Sequence, residues 1–422
     1  MKVSSSAEKS LWRDPSFVLY WSGSIISVLG SYVTLVLLPI LVYRLTNSAF
    51  QTALLTALNV VPYFCFGLFA GVLADRVNRK RLMVLCNLGS MLAIGSIPFA
   101  SLLHVLTLPH IYIAALLVAT VTVWFDAADF GALPALVGRE RVVAANSYLQ
   151  SAATFLGILG PSIAGILAAA LSPALALSAD ALSYALAAVS LLFIPRAFNA
   201  LRTQDTGQHS FVKRTITDIR EGLHFLLHQP LVRTMTFLGF GNSFTGGAVT
   251  GLLVVYAVRG LALSKNDARI GLLFTAGAIG SLLAGLLLPR LVKRFPVGYI
   301  TLLGLCVTPL ALLGLAFSSS LIVSLLLYGL WDACYTLTII NGISLRQMVT
   351  PDHLQGRVNT TARMIAWGGT PFGAAIGGIL AQVLDVRLTY LIMAGGVALS
   401  ALIGWFSPLR QAQAVSPSVA SE

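Results

Sequence analysis

Gly71-Val72-Leu73-Ala74-Asp75-Arg76-Val77-Asn78-Arg79-Lys80-Arg81 is a short charged segment between two long apolar runs, residues 50–74 and 82–104. Each run is about as long as the roughly 20 residues an α-helix needs to cross the hydrocarbon core of a bilayer. Reading outward in both directions gives further runs at 17–43, 109–134, 143–171, 174–194, 231–258, 268–289, 298–317, 320–348, 358–384 and 388–408, twelve in all. The chain of 422 residues is 57% apolar by residue type and only 10% charged, against about 25% charged in an ordinary soluble domain. The runs are far longer than the roughly 10-residue alternating strands of a membrane barrel. The pattern therefore predicts an all-α integral membrane protein, in which each helix satisfies its own backbone hydrogen bonds.

An even number of spans puts both termini on one side. Of the 27 lysines and arginines, only Arg44, Arg259, Lys265, Arg269 and Arg387 fall in the loops of the other side. This bias predicts cytoplasmic termini and a multi-pass protein of the cell (inner) membrane. It also accounts for the net charge of +12 without nucleic acid, because the excess faces an anionic leaflet of the lipid bilayer. The N-terminus is short and polar, and the first apolar run is too long for a signal-peptide core, so no cleavable leader is expected. The four cysteines, Cys65, Cys86, Cys306 and Cys334, lie singly inside apolar runs. They read as small buried hydrophobes, with no metal or cofactor site implied.

Residues 195–230 form the one long polar connection, and their later part, about Phe211 to Leu227, has apolar residues at helical spacing. An amphipathic helix on the cytoplasmic membrane surface is expected there. Six spans precede it and six follow. The expected organisation is thus an N-terminal six-helix bundle (1–194), a linker (195–230), a C-terminal six-helix bundle (231–408) and a cytoplasmic tail (409–422). The halves echo each other: Ala70-Gly71-Val72-Leu73 matches Ala284-Gly285-Leu286-Leu287, Arg76, Arg79 and Lys80 match Arg290, Lys293 and Arg294, and Gly160-Pro161 matches Thr370-Pro371. A parallel duplication of six spans is a transporter architecture, with the substrate site between the repeats.

The segment 71–81 resembles the loop signature of the major facilitator superfamily, G-x-L-a-D-r-x-G-r-[KR]. Gly71 removes a side chain where helices approach closely, and Asp75 suits the positive N-terminus of a facing helix. The resemblance implies two pseudo-symmetric six-helix bundles and makes Gly71, Asp75, Arg76 and Arg79 a conformational latch. Asn78 stands where the family has Gly, and is expected to supply the left-handed turn. The second-half copy has Pro289 in place of Asp, so a one-sided latch is expected. In the fifth run, Gly157-Ile158-Leu159-Gly160-Pro161-Ser162-Ile163-Ala164-Gly165 is similar to the family's antiporter motif, G-x-x-x-G-P-x-x-G-G, with Gly157, Gly160, Pro161 and Gly165 in its positions; ordinary glycine-based helix packing is the alternative. Ser27-Val28-Leu29-Gly30, Leu38-Pro39, Asn47-Ser48-Ala49 and Leu133-Pro134-Ala135-Leu136-Val137 resemble the macrolide-efflux and enterobactin-exporter branch.

Ionisable groups inside a membrane are expensive and mark function by default. Asp126 and Asp129 are three apart on one helix face, and a carboxylate that gives up its proton when a cationic group arrives is what a proton antiporter needs. Pairing of Asp129 with Arg139 or Arg141 is the alternative. Asp332 is flanked by Trp331 and Tyr335, with Tyr328 one turn back. The resemblance puts spans 1, 4, 7 and 10 around a central cavity, where an acid beside aromatics suits an amphipathic cation; a salt bridge from Asp332 to Arg363 is the alternative. Asp180 reads as structural. The glycines and hydroxyls of 239–247 suit either a flexible cavity lining or a close helix crossing.

These readings predict a secondary active transporter that exports an amphipathic, drug-like small molecule, by proton antiport and alternating access. Protons are the expected coupling ion. A dedicated siderophore or metabolite exporter, and a non-transporting receptor on the same fold, are the alternatives. An enzyme is not expected, since no nucleophile, base and orienting group recur at informative spacing, and no phosphate-binding loop is present.

Overall fold

The computed structural model describes residues 11–196, 198, 211–351 and 354–411. The side chains of residues 68, 71, 72, 75, 76, 139, 211–218, 356 and 411 lie outside that description. The apolar runs form helices α1 (Pro15–Thr46), α2 (Ala49–Arg76), α3 (Arg79–Leu102), α4 (Leu108–Val137), α5 (Val142–Ala170) and α6 (Pro173–Phe193). The polar helix α7 (Phe211–His228) follows. Then come α8 (Pro230–Gly251), α9 (Leu253–Gly260), α10 (Ile270–Val292), α11 (Val297–Phe317), α12 (Leu321–Val349), α13 (Gln355–Val383) and α14 (Val386–Trp405). Among the described residues, eleven helices are long and apolar enough to cross a membrane, or twelve if the α8–α9 pair, bent by 45°, is one span. The expected run at 231–258 is that pair.

Local chemistry sets the boundaries. Ser172 accepts a hydrogen bond from Leu175 N at 3.2 Å, and Pro173 opens α6, the usual pairing of a hydroxyl cap with a first-turn proline. Gly138, at φ +81°, ends α4. Asn78 differs from expectation: its backbone is extended (φ −70°, ψ 108°), and its Oδ1 accepts from Arg81 N at 3.0 Å. Asn fits the old glycine position because it caps the next helix, without a left-handed turn.

The chain forms two compact units. Unit 1 comprises Met1–Val42 and Leu58–Gln204. Its core packs Phe17 and Tyr20 of α1 with Ala128, Ala132 and Leu136 of α4 and Ala188 and Leu191 of α6. Gly157 and Gly160 of α5 leave room for Tyr32 of α1, whose ring and Cβ occupy the space their own Cβ atoms would take. Pro161 and Gly165 of the same motif are also buried.

Unit 2 comprises Tyr43–Ala57 and Asp205–Glu422. Gly369 and Gly373 of α13 press against the backbone carbonyls of Phe240 and Phe244 of α8, and Gly247 presses against that of Thr370. Between these two options, residues 239–247 form a close helix crossing, as small residues allow. Arg259 at the end of α9 donates to Tyr43 Oη (3.0 Å), Asn47 O (2.8 Å) and Ala381 O (3.3 Å), which ties the 43–57 turn into this unit. Helix α7 turns Leu226 toward Val232, Val358 and Ala362. Gly222 abuts the Arg357 carbonyl, and Arg357 pairs with Glu221. The amphipathic helix thus covers the start of α13, while Leu223 and Leu227 stay exposed.

Candidate functional site: hydroxyl-bound carboxylates within the spans

Asp126 and Asp129 share α4 but look to different helices. Asp129 is half-buried and accepts a hydrogen bond from the Tyr20 hydroxyl of α1. Asp126 is open to the surface and accepts from the Tyr63 hydroxyl of α2 at 2.6 Å. The expected alternative of an Asp129 pair with Arg141 is not what forms: Arg141 donates to Val137 O at 2.9 Å and lies 4.0 Å from Asp14. The side chain of Arg139 lies outside the described residues. Asp180 of α6 is fully buried and accepts from Thr34 of α1 and from Ser183, the latter at 3.0 Å.

In unit 2, Asp332 of α12 accepts from Ser281 of α10, and Ser281 lies 2.8 Å from Thr336 Oγ1. Arg363 does not pair with it. That guanidinium sits 5.1 Å from the Trp367 ring centroid, a cation–π contact. Tyr328, Trp331 and Tyr335 stack at 5.4 and 5.3 Å. Tyr328 and Trp331 are buried, at 4% and 0% exposure, so they pack in the core rather than line a cavity. Tyr335 is half-buried over Gly246, and its carbonyl accepts from Asn242 at 3.3 Å.

One rule covers these four acids. Each is held by neutral hydroxyls, and among the described residues none forms an ion pair. A carboxylate whose partners are all hydroxyls exchanges a proton without breaking a salt bridge, whereas a buried ion pair fixes both charges. Sequence reasoning missed Tyr20, Tyr63, Thr34 and Ser281 as partners. The available signal was a hydroxyl residue on an apolar face in a neighbouring span, but nothing in one sequence says which acid it meets.

Arg79 and Lys80 of the charged segment bond backbone carbonyls of other elements. Arg79 donates to Gly131 O at 3.1 Å and to Phe198 O at 3.5 Å. Lys80 donates to Leu192 O at 3.0 Å and Ile194 O at 2.6 Å, at the close of α6, where cations complement the exposed carbonyls. Gly71, Asp75 and Arg76 belong to α2, and their side chains lie outside the described residues apart from the absent one of Gly71. Of the cysteines, Cys86 and Cys334 are buried, while Cys65 and Cys306 are exposed on apolar helices, where a lipid-facing surface needs no polar cover.

The comparisons with known proteins agree with this architecture. The chain is 26% identical over 394 residues to the multidrug efflux pump Tap of Mycolicibacterium fortuitum, covering 90% of this chain and 92% of that one. It is 26% identical over 432 residues to the enterobactin exporter EntS of Salmonella typhimurium, covering 95% of each. Among solved structures, the nucleoside transporter NupG superposes with a TM-score of 0.73 at 14% identity, covering 92% of this chain and 98% of that one. A bacterial homologue of the human lysosomal transporter Spinster superposes at 0.76 and 12% identity, covering 97% and 100%. The sequence model of the Major Facilitator Superfamily matches residues 20–367 and again 268–421. With its many membrane-spanning helices, the chain belongs to the major facilitator superfamily of transporters.

Proposed function

We propose that this transporter is a proton-driven exporter of amphipathic small molecules, set in the inner membrane with both termini in the cytoplasm. The observation that carries the reading is the hydroxyl-only coordination of Asp126, Asp129 and Asp332. Such acids load and release protons without a resident cation to displace. The relatives supply the direction, since both are named for efflux or export. The proposed organisation is two six-helix bundles, 1–194 and 231–408, joined by the linker 195–230, with Arg79 serving the latch through its bonds to Gly131 O of α4 and Phe198 O beyond α6.

The test is accumulation of ethidium, an amphipathic cation, together with a panel of antibiotics, in an efflux-deficient bacterium expressing the chain. Lower accumulation, restored by a protonophore, supports the reading. Export that ignores collapse of the proton gradient removes proton coupling. No change across the panel, with the protein in the membrane, favours the second reading: a dedicated siderophore exporter, for which the likeness to the enterobactin exporter speaks.

A further inference from the structure

The loop after α10 repeats the charged segment after α2, but its cations are employed differently. Arg79 and Lys80 of the first copy bond backbone carbonyls. Their counterparts Lys293 and Arg294 are exposed, and neither side chain meets an acceptor among the described residues. Arg290, the counterpart of Arg76, reaches only Leu286 O of its own helix, at 3.4 Å. The difference starts in the backbone. Arg79 opens α3 behind the Asn78 cap. In the second copy α10 closes at Val292, Arg294 N and Phe295 N both return to Leu291 O at 2.9 Å, and α11 begins after Pro296. Lys293 and Arg294 are thus left on a turn beyond a helix end.

Arg290, Lys293 and Arg294 surround a cavity of about 350 Å³, together with Leu291 and Phe295. No acid stands on its walls. The carboxylates of unit 2 whose side chains are described are held elsewhere: Glu221 by Arg357, Asp267 by Arg269, Asp332 by Ser281 and Asp385 by Arg387 N. The exposed carbonyls at the end of α10 amount to about half a negative charge. Three cations therefore leave a positive surplus that calls for an anion. Two apolar stripes lead from the cavity into the spans. On α10, the exposed Leu286 and Leu287 lie one turn before Arg290, and the exposed Leu283 lies one turn before them. On α11, the exposed Tyr299 and Leu303 follow Phe295 at four-residue spacing, and the Phe295 and Tyr299 rings stack with centroids 6.4 Å apart. Exposed aromatic rings at the end of a span mark the membrane–water boundary.

We infer that this cavity is a head-group site for an anionic phospholipid. The phosphodiester sits among Arg290, Lys293 and Arg294, and an acyl chain runs along the leucine stripe of α10. A guanidinium fork and an ammonium group both suit phosphate oxygens, and basic pockets at the cytoplasmic ends of spans favour anionic lipid. A free phosphate would use the cations and leave both apolar stripes without a role. The second copy of the loop, which has Pro289 where the first has Asp75, serves here as a lipid anchor of unit 2. Placement in the inner leaflet rests on the orientation proposed above; head-group binding does not.

The test is native mass spectrometry of the full chain in detergent, titrated with dioleoylphosphatidylglycerol or with dioleoylphosphatidylcholine, which has the same tails and no net charge. The wild type should retain the phosphatidylglycerol in preference. The double variant Lys293→Gln, Arg294→Gln should weaken that binding about thirtyfold, the factor that two cations at a membrane surface supply, and leave phosphatidylcholine unchanged. Arg290→Gln alone should weaken it about fivefold on the same basis, and it keeps the proposal testable if the double variant does not fold. Arg220→Gln, which removes an exposed cation of α7, should bind as the wild type does. Equal retention of the two lipids overturns the proposal. A loss in Arg220→Gln as large as in the double variant overturns it in favour of diffuse charge attraction. Inorganic phosphate that displaces phosphatidylglycerol at equal concentration overturns the lipid as occupant in favour of a free anion. An alkaline-phosphatase fusion at the C-terminus that is active in cells would remove the inner-leaflet placement and the orientation reading, and leave the head-group result standing, so the two failures are separable.

Discussion

Tyr63, in the second helix, donates a 2.6 Å hydrogen bond to Asp126, in the fourth. The hydroxyl holds the carboxyl in place with no counter-charge beside it. We expect Asp126→Asn to abolish protonophore-sensitive export and Tyr63→Phe to reduce it several-fold, since one hydrogen bond is worth about 0.5–1.5 kcal/mol net. Ethidium accumulation in cells checks both. Equal activity of Asp126→Asn and wild type would take this acid out of the mechanism.

Asp332 and Ser281 form the corresponding nest in unit 2. Asp332→Asn keeps the size and a hydrogen-bonding group, so the fold should survive. If Asp332 receives the cargo, the variant should lose export of cations such as ethidium and keep that of neutral compounds. Uniform loss across both classes would instead make it a coupling residue.

Arg79 spans two carbonyls, Gly131 O and Phe198 O. We expect Arg79→Ala to lower stability by about 1–3 kcal/mol by leaving part-buried acceptors unmet, and Arg79→Lys to recover only part, since one ammonium lacks the planar fork. Thermal unfolding of the purified protein, read by size-exclusion chromatography after heating, measures this. Gly131→Ala should cost less than Arg79→Ala, because its Cβ would meet only the guanidinium end of Arg79, which can swing aside.

In the 43–57 and 261–269 region of unit 2, Arg269 beside Asp267 holds that carboxyl below the usual carboxylate range, chiefly through their side-chain hydrogen bonds. A lowered value means the pair stabilises the fold above the ordinary carboxylate range and stops doing so as pH falls through the lowered one. The stability difference between wild type and Asp267→Asn should therefore be small at neutral pH, as for exposed pairs generally, and vanish in acid. A difference that grows in acid would contradict this sign.

The spans were legible because bilayer thickness and helix rise fix their length, and hydropathy marks it directly. The run read at 298–317 begins one residue from the observed start at Val297 and ends with it at Phe317. The bend after Gly251 was not legible. The break falls at Leu252, within apolar sequence, and is followed by a wide turn in which Leu261 N reaches Tyr256 O at 3.1 Å. The acids were legible as candidates, since a carboxylate stands out in an apolar run. Their partners were not, because Tyr20 and Asp129 lie 109 residues apart and meet only through the packing of α1 on α4. The neighbours of Arg363 and Trp331 were not legible for a related reason: a charge or a ring in a span can face a neighbouring ring or the core, and spacing alone does not say which.

The glycine seam between α8 and α13 has a mechanical consequence. Where backbone meets backbone at Gly369, Gly373 and Gly247, no side chain can rotate to absorb a slide or a tilt. At these points the two helices are locked to one another backbone against backbone. Evolution is bound in the same way. A seam without rotamers cannot be retuned by small substitutions, so changes in cargo range must be written on helices whose contacts are made by side chains.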